Sequence, residues 1–482
     1  MVSAHRAKGK LFAALLFWMA GCEYAAGALA GDPAWVVLGP DGQAVARLIT
    51  AQGCPDIVID GRAQPMRLRA GPARIPQRPT QSAPDQSKPS LFPQRVCEAD
   101  LPAGARDVRI GQHRLPRAKK IIRRIVVIGD TGCRLKAGDS SWQACNDPQR
   151  FAFAAIARAA AAWQPDLVLH VGDYLYRENR CPKDQPGCQG SPWGYGADSW
   201  QADFFTPAAP LLRAAPWVMV RGNHESCRRA GQGWWRDLDP RPLEAGRDCN
   251  LPQNDQIGDY SDSYAVPLGD RAQILVMDTS AAGKKALAAD DPAARIYARN
   301  WQQILQLARR ADENLLANHQ PVLGFAARTS QQGQIRLLPG NAALQSVLFS
   351  GTDNPYPASV SLLLSGHVHV WEALDFTGAW PSQFIAGFSG TEEDIVPLPH
   401  RLPADAEPAP GVRVAHFSSW VDGFGFMTLQ RTGKRRWLAE VHDRNGRIVN
   451  TCRIDGQHSQ CRLPWLAPAS GQAAEQPRSP PR

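Results

Sequence analysis

Five short clusters hold the residues able to do chemistry: Ile128-Gly129-Asp130-Thr131-Gly132, Val171-Gly172-Asp173-Tyr174-Leu175-Tyr176, Val220-Arg221-Gly222-Asn223-His224-Glu225, Leu316-Ala317-Asn318-His319 and Ser365-Gly366-His367-Val368-His369. Taken singly, a Gly-Asp or Gly-Asn pair marks a turn, because both residues tolerate left-handed backbone. A single histidine usually completes a core. Repetition changes the reading, since Asp, Asp, Asn, His and His-x-His recur after successive apolar runs. Asp130, Asp173, Tyr176, Asn223, His319, His367 and His369 offer seven donors, too many for one ion and enough for two that share a bridging carboxylate. Oxygen and imidazole in this ratio suit Fe, Zn or Mn. Two such ions about 3.5–4 Å apart clamp an in-line displacement at phosphorus, so the chemistry expected is hydrolysis of a phosphate ester.

The clusters need a scaffold that brings them together. Each follows an apolar run: Ile125 to Ile128, Leu167 to Leu169, Trp217 to Val220, Leu315 to Leu316 and Ser361 to Leu364. Helix-like stretches from Gln149 to Trp163, Trp200 to Leu212 and Ala298 to Arg310 alternate with these runs and with Ile274 to Met277. Continuous apolar strands between amphipathic helices predict an α/β layered domain whose strands are buried on both faces. Ligands bind beyond the carboxyl ends of strands in such folds, which is where all five clusters stand. Before this domain, short β-like runs (Trp35 to Leu38, Ala44 to Thr50, Asp56 to Asp60, Asp107 to Ile110) predict a small all-β domain over residues 31–118. A stretch holding Pro72, Pro76, Pro79, Pro84, Pro89 and Pro93 interrupts it as an extended loop.

In this order the clusters resemble the blocks GDxG, GDxxY, GNH[ED], VxxH and GHxH of the calcineurin-like metallophosphoesterases, in particular the purple acid phosphatase branch. Four blocks match literally, and Leu316 replaces Val in the fourth; the resemblance covers about Arg124 to Gln430. It implies a metallophosphoesterase β-sandwich flanked by helices, with a catalytic domain at residues 119–463. It also implies two metal ions. Asp130, Tyr176 and His369 would hold a trivalent one, and Asn223, His319 and His367 a divalent Fe, Zn or Mn, with Asp173 bridging them. Gly132 stands where the wider family carries a histidine, and Tyr176 supplies a phenolate instead, which favours Fe(III). The activity implied is acid-phosphatase-like cleavage of phosphate monoesters by metal-bound hydroxide. His224, beside the ligand Asn223, is the implied acid or substrate contact, and His170 reads as a core or supporting residue. A phosphodiesterase acting on nucleotides or lipid head groups is the alternative. A non-catalytic surface metal-binding lipoprotein is a further one, which a lost ligand would mark.

The 482-residue chain is 44% hydrophobic and 21% charged, a composition that excludes disordered and collagen-like proteins. The net charge is +9, and a cluster of the cations between Arg114 and Arg124 reads as a solvated linker, not a nucleic-acid scaffold. The expected partner is a small anionic phosphate ester. Arg6, Lys8 and Lys10 precede an apolar run from Leu11 to Ala20, which predicts a signal segment over residues 1–30 and an exported protein, periplasmic, lipoprotein-anchored or secreted. Met19-Ala20-Gly21-Cys22 offers a lipid anchor at Cys22, and Ala28-Leu29-Ala30 an ordinary cleavage site. Either leaves ten of the 11 cysteines, which pair most compactly as Cys54–Cys97, Cys133–Cys145, Cys181–Cys188, Cys227–Cys249 and Cys452–Cys461. The Pro-, Ala- and Ser-rich tail at 464–482 reads as disordered. The stretches Arg177 to Ser199 and Cys227 to Tyr260 follow ligand clusters and are expected to form the rim of the cleft. Their cations suit an anionic ester, and Trp193, Trp234 and Trp235 could stack on a ring or simply pack.

Overall fold

A computed structural model describes residues 31–330, 332–392, 398–399, 401–420 and 423–462. The expected signal segment, Cys22 and the tail at 464–482 lie outside them. Two large sheets face each other. In the first, the parallel strands Arg124–Ile128, Leu167–His170 and Trp217–Met219 lie side by side. In the second, Ala272–Val276, Glu313–Ala317, Val360–Ser365 and Ser382–Ala386 run parallel.

Apolar residues on both faces of these strands dictate the layering. Ile125, Val127, Leu167 and Leu169 of the first sheet meet Ile274, Leu315, Leu362 and Leu364 of the second in one core. Their alternate neighbours Val126, Ile128 and Val168 pack under the helices Phe153–Ala162 and Thr206–Ala214. Leu275, Leu316 and Leu363 pack under Pro292–Ala308 and Ala342–Leu348. The result is the α/β layering that the periodicity predicts, in the form of the β-sandwich flanked by helices that the resemblance implies, and the parallel strands of both sheets deliver their carboxyl ends to the donor clusters.

The N-terminal region is all-β but is continuous with this sandwich. Ala34–Leu38 pairs in parallel with Trp217–Met219, and Ala44–Thr50, Arg95–Leu101 and Arg67–Ala70 extend the same 11-stranded sheet. The reason lies in the strand itself, whose residues are buried on both faces and so need a core on each side. Asp56–Ile59, Arg62–Pro65, Val108–Ile110 and His113–Arg114 form a separate four-stranded sheet. The proline-rich loop is closed by a short pair, Ala73–Ile75 with Ser90–Phe92. It is strapped over the site loops: Arg78 pairs with Asp255, Arg228 donates to Thr80 O at 3.2 Å, and Asn179 donates to Ser82 Oγ at 3.0 Å.

All five expected disulfides form. Among the described residues no helix is long and apolar enough to cross a membrane.

Candidate metal centre and active-site cleft

Backbone geometry already marks the strand ends. Asp130 (φ 55°), Asp173 (φ 60°) and His367 (φ 71°) are all left-handed. Such a conformation costs a non-glycine residue about 1–3 kcal/mol and persists where surrounding structure enforces it. The loops also press together at glycines. A Cβ on Gly222 would sit 2.0 Å from Asp173 Oδ1, and one on Gly172 (φ 106°) would sit 2.4 Å from His319 Nδ1. Glu225 ties two loops into one unit by accepting from Tyr174 N at 2.9 Å and Gly222 N at 3.1 Å. Burial pushes its carboxyl up to about 8, and the nearby Asp173 adds to this.

The seven predicted donors come together as two sets that meet at Asp173. In the first, the Tyr176 hydroxyl lies 2.8 Å from Asp130 Oδ1, 2.8 Å from Asp173 Oδ2 and 3.0 Å from His369 Nε2. In the second, Asn223 Oδ1 lies 3.0 Å from His319 Nε2 and 2.8 Å from His367 Nδ1, while His319 Nε2 is 3.2 Å from Asp173 Oδ2. Asp173, His319 and His367 each place a ligand atom within 4.8 Å of the others.

Proton counting shows that the residues fit a pair of cations. Tyr176 has one O–H and faces three acceptors, so two of those contacts set lone pair against lone pair. His319 Nδ1 lies 2.9 Å from Val171 O and His369 Nδ1 lies 3.2 Å from Glu392 O, which assigns the proton to Nδ1 in each. Their Nε2 lone pairs therefore point into the site. Burial alone would lower His319, but Asp173 outweighs it and pushes the imidazole up to about 9. Burial raises the carboxyl of Asp173, yet His319 and His224 hold it well below the carboxylate range. The pocket calls for positive charge. Burial, Asp130 and Asp173 keep the Tyr176 phenol protonated far above its ordinary range, and only a strongly charged ion reverses that balance.

His224 stands against this centre and not within either set. Its backbone N–H donates to Asp173 Oδ1 at 2.8 Å, and its ring lies 3.8 Å from that of Tyr176, centroid to centroid. His170 is a supporting residue: Gly172 N donates to its Nδ1 at 3.1 Å, and its ring stacks on Tyr174.

Asp203 and Glu178, which sequence reasoning did not single out, and Arg229, which it placed only among the cations of the cleft rim, complete the support. Asp203, in a π-helical turn at Gln201–Phe205, accepts from Cys133 N at 3.0 Å, Tyr176 N at 2.8 Å and Arg177 Nε at 2.5 Å. It joins the first cluster's loop to the second's. Glu178 and Arg229 form a buried ion pair beside His224. Burial raises the Glu178 carboxyl, but Arg229 and His224 outweigh it and hold it far below its usual range. None of the three belongs to a recognisable motif.

The calcineurin-like phosphoesterase family model matches residues 123–371, which contain all five clusters. The chain belongs to the calcineurin-like phosphoesterases. Membership makes it a metal-dependent phosphoester hydrolase with a dinuclear metal centre. Among solved structures, this phosphoesterase is similar to a purple acid phosphatase from yellow lupin (Lupinus luteus) seeds, at 14% identity and a TM-score of 0.50, over 88% of this chain and 74% of that one. It is also similar to PhoD, at 13% identity and a TM-score of 0.52, over 94% of this chain and 95% of that one. No curated protein sequence matches it.

The phosphoesterase cleft above the donors encloses about 1310 Å³. Of the two expected rim segments, the second contributes Arg228, Arg229, Asp259 and Tyr260, while Arg177 to Ser199 contributes nothing to the lining. Trp234 and Trp235 are core residues at 2% and 1% exposure, and Trp193 lies under Lys88, so the tryptophans pack against the protein. The remaining walls come from Arg134 to Ser141, Ser280 to Lys284 and the hairpin Phe325–Thr329 with Ile335–Pro339.

Proposed function

We propose that the protein is an exported acid-phosphatase-like enzyme that hydrolyses phosphate monoesters. The observation that carries this reading is the convergence of two donor sets on Asp173 Oδ2, one containing the Tyr176 hydroxyl and the other neutral apart from the shared carboxylate. In this reading Asp130, Tyr176 and His369 would hold Fe(III), Asn223, His319 and His367 would hold a divalent Fe, Zn or Mn, and Asp173 would be shared by both. The ions, when bound, activate water and neutralise charge on the phosphoryl oxygens. Asp173 keeps its two partners in register, while His319 and His369 present fixed nitrogens because backbone carbonyls hold their far sides. His224 supplies the proton that an alkoxide leaving group needs; its Nδ1 lies 3.1 Å from Leu175 O, and Arg229 Nη2 lies 2.7 Å from both ring nitrogens. Five disulfides support export.

A phosphodiesterase is the second reading, and the cleft volume favours it, because about 1310 Å³ exceeds what a small monoester fills. The non-catalytic reading has no such support, for no donor is missing.

Metal-loaded protein assayed with p-nitrophenyl phosphate and bis-p-nitrophenyl phosphate separates these readings. The monoester is expected to be the better substrate by at least about tenfold in kcat/KM, a difference of roughly 1.4 kcal/mol. The reverse order establishes the diesterase, and no hydrolysis of either overturns both. The same preparation is expected to show a visible phenolate-to-Fe(III) band that Tyr176→Phe removes. A colourless active enzyme containing only zinc or manganese would overturn the iron assignment.

A further inference from the structure

A cleft of about 1310 Å³ exceeds what a small monoester fills, and the surplus space has a definite chemistry. It is most distinct along the hairpin Phe325–Thr329 with Ile335–Pro339. Alternate residues of a strand share a face. Ala327 and Leu337 pack against the helix-covered core of the second sheet, so the opposite face, which carries Ala326, Arg328, Arg336 and Leu338, turns toward the cleft. Ala326, Arg328 and Leu338 line it. This face changes character along its length. At the foot Ala326 stands opposite Leu338, and the lining continues with Ala282, Pro339 and Ala342; two residues farther out, Arg328 stands opposite Arg336.

The foot of the hairpin is fixed beside the donor clusters. Phe325 N donates at 3.2 Å to Oε1 of Glu372, three residues past His369, and Asn341 N donates at 2.9 Å to the carbonyl of Pro321, two residues past His319. A Cβ on Gly340 would sit 2.0 Å from Val322 O, so the two legs are pressed together there. At a rise of about 3.3 Å per residue, Arg328 stands roughly 10 Å beyond Phe325.

The two arginines are an unusual pair. Directly opposed residues of an antiparallel ladder place their Cβ atoms about 4.5–5.5 Å apart, and like charges in that position repel. Both arginines are exposed, and among the described residues neither forms an ion pair. Other cations of the lining are compensated: Arg134 and Lys136 share Asp139 at 2.7 and 2.8 Å, and Arg229 pairs with Glu178. An anion held between Arg328 and Arg336 would turn their repulsion into attraction.

We infer that the substrate is an organic phosphate carrying a second phosphate beyond an aliphatic segment. The scissile phosphate sits at the donor clusters, the segment lies along Ala326 and Leu338, and Arg328 with Arg336 clamps the second phosphate. This rests on the monoesterase reading for the end that is cleaved.

The test is calorimetric titration of the metal-loaded protein at low salt with phosphonates, whose C–P bond an esterase leaves intact: octylphosphonate, octane-1,8-bisphosphonate, propylphosphonate and propane-1,3-bisphosphonate. Two equivalent ends alone give a bisphosphonate a twofold advantage. The eight-carbon bisphosphonate is expected to bind about tenfold tighter than octylphosphonate, within the range of two exposed ion pairs, and the three-carbon one only about twofold tighter than propylphosphonate. Combining Arg328→Gln with Arg336→Gln should reduce the eight-carbon ratio to about two, as should 1 M salt. A ratio near two in the wild type, a ratio that survives both substitutions, or an equal gain with the three-carbon spacer would overturn the inference. The double variant should melt at or above the wild-type temperature, because it relieves a repulsion; a lower value would assign the pair to holding the hairpin and count against the clamp. Turnover of p-nitrophenyl phosphate by the same preparation reads the monoesterase separately. Its absence with the tenfold ratio intact removes the activity and keeps the clamp, and turnover with a ratio of two does the reverse.

Discussion

Asp173→Asn is expected to drop bound metal from about two ions per chain to one or none and to lower kcat/KM for p-nitrophenyl phosphate by at least about 10³-fold, roughly 4 kcal/mol. Both donor sets reach Asp173 Oδ2, so loss of its charge weakens both at once. His319 also loses the carboxylate that raises it and returns toward its ordinary range. Asparagine is the right replacement because it tolerates the left-handed backbone found here at φ 60° and can still accept from His224 N. The fold should therefore survive, with a melting temperature close to wild type. Metal analysis and thermal unfolding of the same sample check this, and full metal content in the variant would contradict the bridging assignment.

Asp203→Ala should cost about 3–5 kcal/mol of stability, because it leaves the buried Arg177 guanidinium without its partner. The backbone N–H groups of Cys133 and Tyr176 lose an acceptor in the same step. Those two positions flank Asp130 and carry the Tyr176 phenol, so metal affinity should fall as well, by about 10–100-fold. Asp203→Asn, which keeps the shape and gives up the charge, should lie between wild type and alanine. Urea denaturation of the metal-free forms gives the first quantity and metal titration the second. A cost under about 1 kcal/mol would mean that the loops hold Tyr176 without this anchor.

The two substitutions differ in how visible their targets are in the chain. Asp173 could be read directly, because a metal ligand at the end of a strand is a local feature: an apolar run, a glycine and a donor within six residues. The disulfides were legible for a related reason, since each joins cysteines that follow one another in sequence, at separations from 7 to 43 residues. Asp203 carries no such signature. Its partners lie 26 to 70 residues away, and only the packing of a helical turn against two loops brings them together. Glu178 and Arg229 are the same case, 51 residues apart. The N-terminal strands were recognisable as strands, but strand pairing is non-local, so their place in the main sheet was not. Trp234 and Trp235 mark the limit of composition as a guide, for an aromatic pair beside a ligand cluster looks the same whether it faces substrate or the core.

The central claim is that these seven side chains hold two ions and that Asp173 lies between them. Anomalous diffraction from crystals of the metal-loaded protein tests it most directly. Two peaks about 3.5–4 Å apart are predicted, one against Asp130, Tyr176 and His369 and the other against Asn223, His319 and His367, with Asp173 touching both. A single peak, or a pair that leaves Tyr176 or Asp173 without metal, would contradict the account.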